Sequence, residues 1–158
     1  MSTVQPQYSA TTAITCTMST LAASSARGST PVYNTSTRYT DAMLHLEVQT
    51  NSSAPTDLRA VLVYIYSSID GVSWSGSRTE NVSTDIGITL DSPTNLIKGG
   101  TVNTPAATTI YREDISILQT LGFMPAAWGF VISNRTGNAL NSTAANFVAT
   151  YAGINPVF

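Results

Sequence analysis

The sequence predicts an all-β protein, an antiparallel β-sandwich of jelly-roll type with about eight strands. Three observations support this fold class. Short segments of alternating apolar and polar residues recur along the chain between turn signals. No helical period extends beyond about two turns. Serine and threonine make up roughly a quarter of the 158 residues, and both residue types favour strands and turns over helices.

The N-terminal third of the chain leads from a polar segment into the clearest alternation. Residues 1–11 predict an extended N-terminal arm, and residues 12–158 predict a single sandwich domain. Residues 12–21 predict a first strand, 22–31 a loop and 32–40 a short strand. In residues 41–50, one face of the predicted strand is apolar and the other is polar. The apolar face carries Ala42, Leu44, Leu46 and Val48.

The middle of the chain predicts a central strand followed by a hairpin. Both faces are apolar in residues 58–68, which is typical of a strand covered on two sides. Asp70-Gly71 then predicts a type I′ turn, in which two successive residues have positive φ. Val72 to Ser75 would form the returning strand, with Trp74 just beyond the turn.

The C-terminal half predicts further strands over residues 85–90, 94–103, 107–118, 127–134 and 146–154. A short helical turn is predicted before Gly122, and Pro125 would end it. In the segment 127–134, one face of the strand is predicted to be apolar. It carries Trp128, Phe130 and Ile132.

The composition is unusual in its low charge. Only 10% of the residues are charged and the net charge is −2, whereas about 25% is typical of soluble domains. Lys98 is the only lysine, and the six arginines are spread along the chain. Because phosphate binding needs clustered basic residues, we expect no nucleic-acid partner. The N-terminus lacks the pattern of a signal peptide, and no apolar run approaches the roughly 18 residues of a membrane span.

The side chains that enzymes and metal sites require are scarce. Cys16 is the only cysteine and His45 the only histidine, so neither a disulfide nor a zinc site is predicted. Cys16 lies on an alternating face and is interpreted as a small buried hydrophobe. His45 is assigned a surface or interface role rather than catalysis. Adjacent Glu113 and Asp114 would point to opposite faces of a strand, so we expect these acids, like Asp85, to be solvated or paired with arginine. The sequence predicts no enzyme and no cofactor.

Trp74 has two interpretations. The stretch Ser-x-Asp-Gly-x-x-Trp, residues 68–74, is similar to a hairpin of discoidin-like sugar-binding sandwiches. That similarity covers only about a dozen residues, and such domains usually close with a cysteine pair that this chain cannot form. We therefore predict that Trp74 is a packing or subunit-contact residue, with a sugar platform as the alternative. Tyr8 in the arm and His45 are the other candidate contact residues.

Two segments resemble small structural proteins of tailed-bacteriophage virions. The first is residues 40–74, with an acidic start at Asp41 and a central strand ending in Asp-Gly. The second is residues 121–154, with Met-Pro-x-x-Trp-Gly, then Asn-x-Thr-Gly-x-Ala-Leu, then a final strand containing Tyr151. The resemblance covers roughly residues 40–154 and leaves the arm outside.

The resemblance implies a capsid cement or decoration protein, located in the virion and assembled in the host cytoplasm. Its expected partners are identical copies in a homo-oligomer, a trimer by expectation, and the major capsid protein. Low charge suits a surface that neighbouring subunits cover, and the arm is either a segment that orders on a neighbour or an ordinary terminus. The alternative function is a carbohydrate-binding or attachment module of a phage tail or fibre, since these use similar sandwiches.

Overall fold

The computed structural model describes residues 5–77 and 82–157, which form two antiparallel sheets packed face to face. This architecture confirms the predicted all-β sandwich, while the jelly-roll connectivity stays a prediction. The strands are β1 (Gln5–Tyr8), β2 (Thr12–Ala13), β3 (Ala26–Gly28), β4 (Val32–Tyr33), β5 (Asp41–Gln49), β6 (Ala60–Ser68), β7 (Gly87–Ile88), β8 (Ile97–Asn103), β9 (Ile110–Ser116), β10 (Ala127–Arg135) and β11 (Val148–Val157). One short helix, α1 (Ile117–Leu121), and a 3₁₀ turn at Ala144–Asn146 complete the described elements.

Each sheet is organised around a long strand that pairs on both sides. In the first, sheet A, the order is β1-β11-β5-β9, with β2 also beside β11. In the second, sheet B, the order is β7-β3-β10-β6-β8, with β4 also beside β10. β10 and β6 pair along their full length, from Ala127↔Ser68 to Arg135↔Ala60. The two ends of this strand pair lie at opposite ends of the sandwich.

The main core lies between the sheets and matches the predicted alternation. The four apolar residues of the β5 face are completely buried: Ala42, Leu44, Leu46 and Val48. Across from them, β6 contributes Val61, Val63 and Ile65, and β10 contributes Trp128, Phe130 and Ile132. Burying a side chain of this size stabilises the fold by about 1.5–3 kcal/mol, so these strands account for most of the apolar stabilisation.

A second, smaller apolar cluster covers the outer face of sheet B. It contains Ala26, Tyr66, Val82, Leu96 and Val131. Trp74 and three other half-buried side chains pack against it. β6 therefore lies in the middle of its sheet with apolar contacts on both faces, as its sequence predicted.

The predicted first strand, residues 12–21, is wrong beyond Ala13. After β2 the chain stays irregular although Ile14 and Met18 are buried. The backbone N–H of Thr15 donates to Thr30 Oγ1 at 3.2 Å, and that of Thr17 donates to Asp85 Oδ1 at 2.9 Å. The Ile14 N–H still donates to the Ala149 carbonyl at 2.9 Å. Beyond it, side-chain oxygens accept from Thr15 and Thr17, so the apolar alternation continues without a regular ladder.

The predicted type I′ hairpin at Asp70-Gly71 is also wrong. Only Gly71 has a positive φ, +77°, and residues 72–75 form no strand. β8 pairs with β6 only as far as Ile65. The returning chain meets the end of β6 at Ser75, whose N–H donates to the Ser67 carbonyl at 2.8 Å, without forming a strand. The chain instead leaves β6 through an irregular loop whose shape is set by Asp70.

Four shorter segments differ in smaller ways. The predicted loop 22–31 contains β3, and the predicted strands 32–40 and 85–90 are reduced to β4 and β7. Residues 5–8 of the predicted arm are extended and pair with β11, from Gln5↔Val157 to Tyr8↔Ile154. The helical turn before Gly122 is confirmed. Ser116 Oγ accepts a hydrogen bond from the Gln119 N–H, and Gly122 ends the helix with a left-handed φ of +78°.

Candidate functional site

The loop that follows β6 is shaped by the carboxylate of Asp70. Asp70 Oδ1 accepts hydrogen bonds from the backbone N–H groups of Val72 and Ser73 and from the Ser68 hydroxyl, at 2.7–2.8 Å. The Ser68 hydroxyl oxygen in turn accepts from the Gly71 N–H. The N–H groups of Ser73 and Val72, with the Ser68 hydroxyl, hold the pKa of Asp70 well below its ordinary value. The loop is thus fixed although its side chains are exposed.

Trp74 lies in this loop and is held by two tyrosine rings. Its indole contacts Tyr66 of β6 edge-to-face at a centroid distance of 5.4 Å. It also contacts Tyr33 of β4 edge-to-face at 6.4 Å. Tyr66 is completely buried, so Trp74 connects the loop to the rigid sheet. Trp74 also packs against the outer apolar cluster of sheet B, and its role as a subunit contact or a sugar platform stays a prediction.

Exposed apolar side chains lie in the Trp74 loop and on β4, which Trp74 contacts through Tyr33. Ile69 is 80% exposed, Val72 is 79% exposed and Tyr33 is 56% exposed. Gly71, between Ile69 and Val72, lies against the Tyr33 ring, since a Cβ placed there would be 3.6 Å from it. We call Tyr33, Ile69, Val72 and Trp74 the tip patch. Large exposed side chains clustered on one fixed loop are typical of a contact surface.

His45 belongs to a separate charged row on the outer face of sheet A. Its Nδ1 lies 2.6 Å from Asp114 Oδ1, and its Nε2 lies 3.6 Å from Glu47 Oε1. Arg112 Nε donates to the same Glu47 oxygen at 2.5 Å, and this bond is the main cause that lowers the pKa of Glu47. Asp114 points to this outer face, whereas Glu113 lies on the side of buried Ile115. The two acids therefore point to opposite faces, as predicted.

Tyr8 is exposed by 59% at the end of edge strand β1. Its register partner is Ile154 of β11, and the partner of His45 on the same strand is Thr150. Tyr8 and His45 thus share sheet A but are separated by β11 and four residue levels. Trp74 packs on sheet B. The three predicted contact residues do not form one site.

Asp85 is paired with arginine, one of the two roles predicted for it. Arg27 Nε donates to Asp85 Oδ1 at 2.6 Å, and the N–H and hydroxyl of Thr17 donate to the two carboxylate oxygens. Burial raises the pKa of Asp85, but the hydrogen bonds from Arg27 and Thr17 outweigh it, so the pKa lies below its ordinary value. Nearby Cys16 is half-buried, and burial with the Asp85 charge raises its pKa to about 12.

Replacing Asp85 with asparagine should destabilise the protein by about 1 kcal/mol at neutral pH. A carboxylate whose pKa is lowered by folding contributes stability above its unfolded pKa and loses it as the pH falls. The difference between the wild-type protein and Asp85→Asn should therefore shrink as the pH falls below about 4. Urea midpoints measured at neutral and acidic pH check this, and a difference that stays constant would contradict it.

Sequence reasoning overlooked two groups of functional interest, Tyr33 and Arg135. Tyr33 gave no signal because its partner Trp74 is far along the chain. Arg135 lies within the turn-like sequence Asn-Arg-Thr-Gly and has no ion pair among the described residues. No cluster of three or more histidine, cysteine or acidic side chains suited to a metal occurs in residues 5–77 and 82–157. Within the same ranges, none of the helices has the length and apolarity needed to cross a bilayer.

Comparisons with protein-family models, curated proteins and solved structures find no match to this chain.

Proposed function

We propose that this chain is a virion structural protein, a capsid cement or decoration protein that stabilises the shell by bridging its subunits. The tip patch is the observation that carries the proposal, because it joins Ile69 and Val72, each about four-fifths exposed, on one fixed loop. The resemblance of residues 40–74 and 121–154 to tailed-bacteriophage structural proteins is the reason for proposing a tailed-bacteriophage virion as the particle. The proposed partners are the major capsid protein and identical copies of this chain, as a trimer.

Adhesion is the proposed mechanism, and no catalysis or cofactor is part of it. Burying one valine or isoleucine side chain contributes about 1.5–3 kcal/mol. A single contact of this size is weak, but repetition over a symmetric shell multiplies its effect. Because Asp70 and Trp74 already fix the loop, little conformational entropy is lost when the patch binds.

The charge distribution supports a protein partner over nucleic acid or a membrane. Arg27 and Arg112 are each paired with a carboxylate, Asp85 and Glu47, so they present little free positive charge to phosphates. The protein's low charge leaves hydroxyls and apolar groups as its contact chemistry. The proposed location is the virion, after assembly in the host cytoplasm.

Copy number in purified particles tests the proposal. Quantitative mass spectrometry should report this chain at a fixed ratio to the shell protein, with enough copies to cover the shell. Particles stripped of it should lose stability to heat. A few copies per particle would contradict a cement role and point to the tail.

A double variant tests the tip patch itself. Ile69→Ser with Val72→Ser should leave the melting temperature almost unchanged, because both side chains are exposed, yet it should no longer bind stripped particles. Leu58→Ser is the matched control. Leu58 is 65% exposed and precedes β6, whereas Ile69 follows it, so about 30 Å of strand separates them. Equal binding by the double variant and the control would show that the tip patch is not the contact.

The alternative is a carbohydrate-binding or attachment module of a tail or fibre. The observation that favours it is the pair formed by Trp74 and half-exposed Tyr33 beside the loop, because aromatic faces stack on sugars. Trp74→Ala should then abolish glycan binding while the two sheets remain folded. A glycan array without hits at millimolar affinity counts against this alternative.

A further inference from the structure

A polar groove lies at the end of the sandwich opposite the tip patch. Its volume is about 550 Å³, within the range of small-ligand sites. It lies between the segment 17–27, which is irregular up to the start of β3, the segment 87–90 around β7, and the end of β10. β10 begins beside Tyr33 of the tip patch and ends at Arg135 in the groove, a separation of roughly 26 Å along nine residues.

Arg135 gives the groove its charge. It is half-buried and has no hydrogen bond or ion pair to another side chain of the described residues. The other arginine in the lining, Arg27, is already neutralised by Asp85. No carboxylate lines the groove. In a protein of net charge −2, this groove therefore presents one unmatched positive charge.

Hydroxyl groups supply most of the remaining chemistry. The lining includes Ser19, Thr20, Ser24, Ser25, Thr89 and Ser133. Each hydroxyl both donates and accepts hydrogen bonds. Leu21, Ile88 and Leu90 add a limited apolar surface. A ligand that matches this lining carries several hydroxyls, a small apolar face and one negative charge.

The wall of the groove is held in place from inside the protein. The buried side chain of Asn134 donates from Nδ2 to the carbonyl oxygens of Leu21 and Ala22, at 2.9 and 3.2 Å. Thr20 and Ser24 on either side have φ of 59° and 60°. Non-glycine residues rarely adopt this left-handed conformation, and such strain often marks binding sites. The loop of residues 20–24 is therefore held in one conformation next to Arg135.

From this geometry we infer that the groove binds a carboxylate-bearing saccharide, with Arg135 pairing to the carboxylate and the hydroxyl lining to the sugar hydroxyls. The guanidinium of arginine matches a carboxylate in a bidentate fork. A uronic acid carries a single carboxylate on a sugar ring that also bears several hydroxyl groups. This site is independent of the tip patch and of the cement function proposed above.

Galacturonate and galactose form a matched pair of probes, because they differ only in a carboxylate against a hydroxymethyl group. The ¹⁵N-labelled protein, titrated with each, should show galacturonate-dependent shifts of the Thr20, Ser24 and Arg135 amides at millimolar concentration. Galactose should bind at least about tenfold more weakly, since a charge-assisted hydrogen bond is lost. Equal shifts with galactose, or no shifts with galacturonate, would overturn the inference.

Arg135→Gln should weaken galacturonate binding about tenfold or more while the spectrum of the core strands stays the same. Arg38→Gln is the control, because it removes the same charge from an exposed position outside the groove. Acetate and a glutamate-containing dipeptide complete the experiment. If either binds as tightly as galacturonate, the groove recognises the anion alone or an acidic peptide, and the saccharide assignment is wrong. Undiminished binding by Arg135→Gln would remove Arg135 from the site.

Discussion

Gly129→Ala is expected to destabilise the protein by about 3 kcal/mol, although it adds only one methyl group. Gly129 of β10 is the register partner of Tyr66 on β6, and the Tyr66 side chain lies directly over it. A Cβ at this position would overlap the Tyr66 hydroxyl and Cζ and lie 2.8 Å from Cε1. Tyr66 cannot move aside, because it is completely buried and its hydroxyl donates to the Ser29 carbonyl at 2.7 Å.

The expected damage extends to the tip patch, since Trp74 packs on the Tyr66 ring. Urea unfolding measures the stability loss, and tryptophan fluorescence reports the combined change around Trp74 and Trp128. Gly87→Ala is the matched control. Gly87 also lies in a strand of sheet B, but a Cβ there meets only the Ala26 carbonyl oxygen at 4.0 Å, so its effect should be within about 0.5 kcal/mol.

A double-mutant cycle separates this mechanism from a backbone effect. Leucine at position 66 ends before the ring atoms that lie over Gly129. In a Tyr66→Leu background, Gly129→Ala should therefore cost much less than in the wild-type protein, giving a coupling of roughly 1–3 kcal/mol. Additive losses would mean that Tyr66 is not the obstacle.

Local sequence patterns predict the strands whose hydrogen-bond partners are backbone groups of neighbouring strands. The strict alternation of β5 identified Ala42, Leu44, Leu46 and Val48 as core, and all four are completely buried. The β10 face was predicted for the same reason. Period-2 burial is a local property, because adjacent residues of a strand point to opposite faces.

The sequence failed where distant side chains replace backbone partners. Residues 14–21 alternate like a strand, but the Thr17 N–H donates its hydrogen bond to Asp85, which is distant in sequence. Asp70-Gly71 has the composition of a tight turn, but Asp70 bonds to Val72 and Ser73 and reshapes the loop. An analysis of apolar and polar patterns predicts neither contact, because each depends on where one particular carboxylate lies in the folded chain.

The candidate surfaces were harder still to predict. Trp74 was identified as a contact or packing residue from its place beyond the turn, but its neighbour Tyr33 comes from a separate strand, β4. The positive charge of the groove depends on which arginine side chains lack a carboxylate partner. Only the folded chain decides that Arg27 meets Asp85 while Arg135 does not. Asn134 also lies in a sequence typical of an exposed turn, yet its side chain is completely buried.

Asn134→Asp is expected to cost about 3–5 kcal/mol at neutral pH, because it places an unpaired charge in the interior. The Nδ2 group of Asn134 donates to the carbonyl oxygens of Leu21, Ala22 and Asn138. A carboxylate of the same shape would direct a second acceptor oxygen at all three. Asn134→Ala should cost less, about 2–3 kcal/mol, since it introduces no charge. It leaves the Thr136 N–H without its acceptor, whereas the Leu21, Ala22 and Asn138 carbonyl oxygens lose the Nδ2 donor but each keep another.

The pH dependence of Asn134→Asp provides the decisive measurement. Burial and the facing carbonyl oxygens would raise the folded-state pKa of the new carboxyl above its unfolded value. An acid whose pKa is raised by folding destabilises the protein above that pKa, and the loss is relieved as the pH falls through it. The gap in urea midpoint between Asn134→Asp and the wild-type protein should therefore narrow in acid, whereas the gap for Asn134→Ala should not.

Asn141→Asp is the control for charge alone, because the Asn141 side chain acts only as an acceptor, from the Thr143 N–H at 2.8 Å. An aspartate can make the same bond, so the change should be close to neutral at every pH. If Asn134→Asp behaves like Asn141→Asp, the Asn134 amide does not hold the 21–22 segment. The groove wall beside Arg135 would then have to be fixed by the backbone bonds that join Ser24 and Ser25 to Asn134.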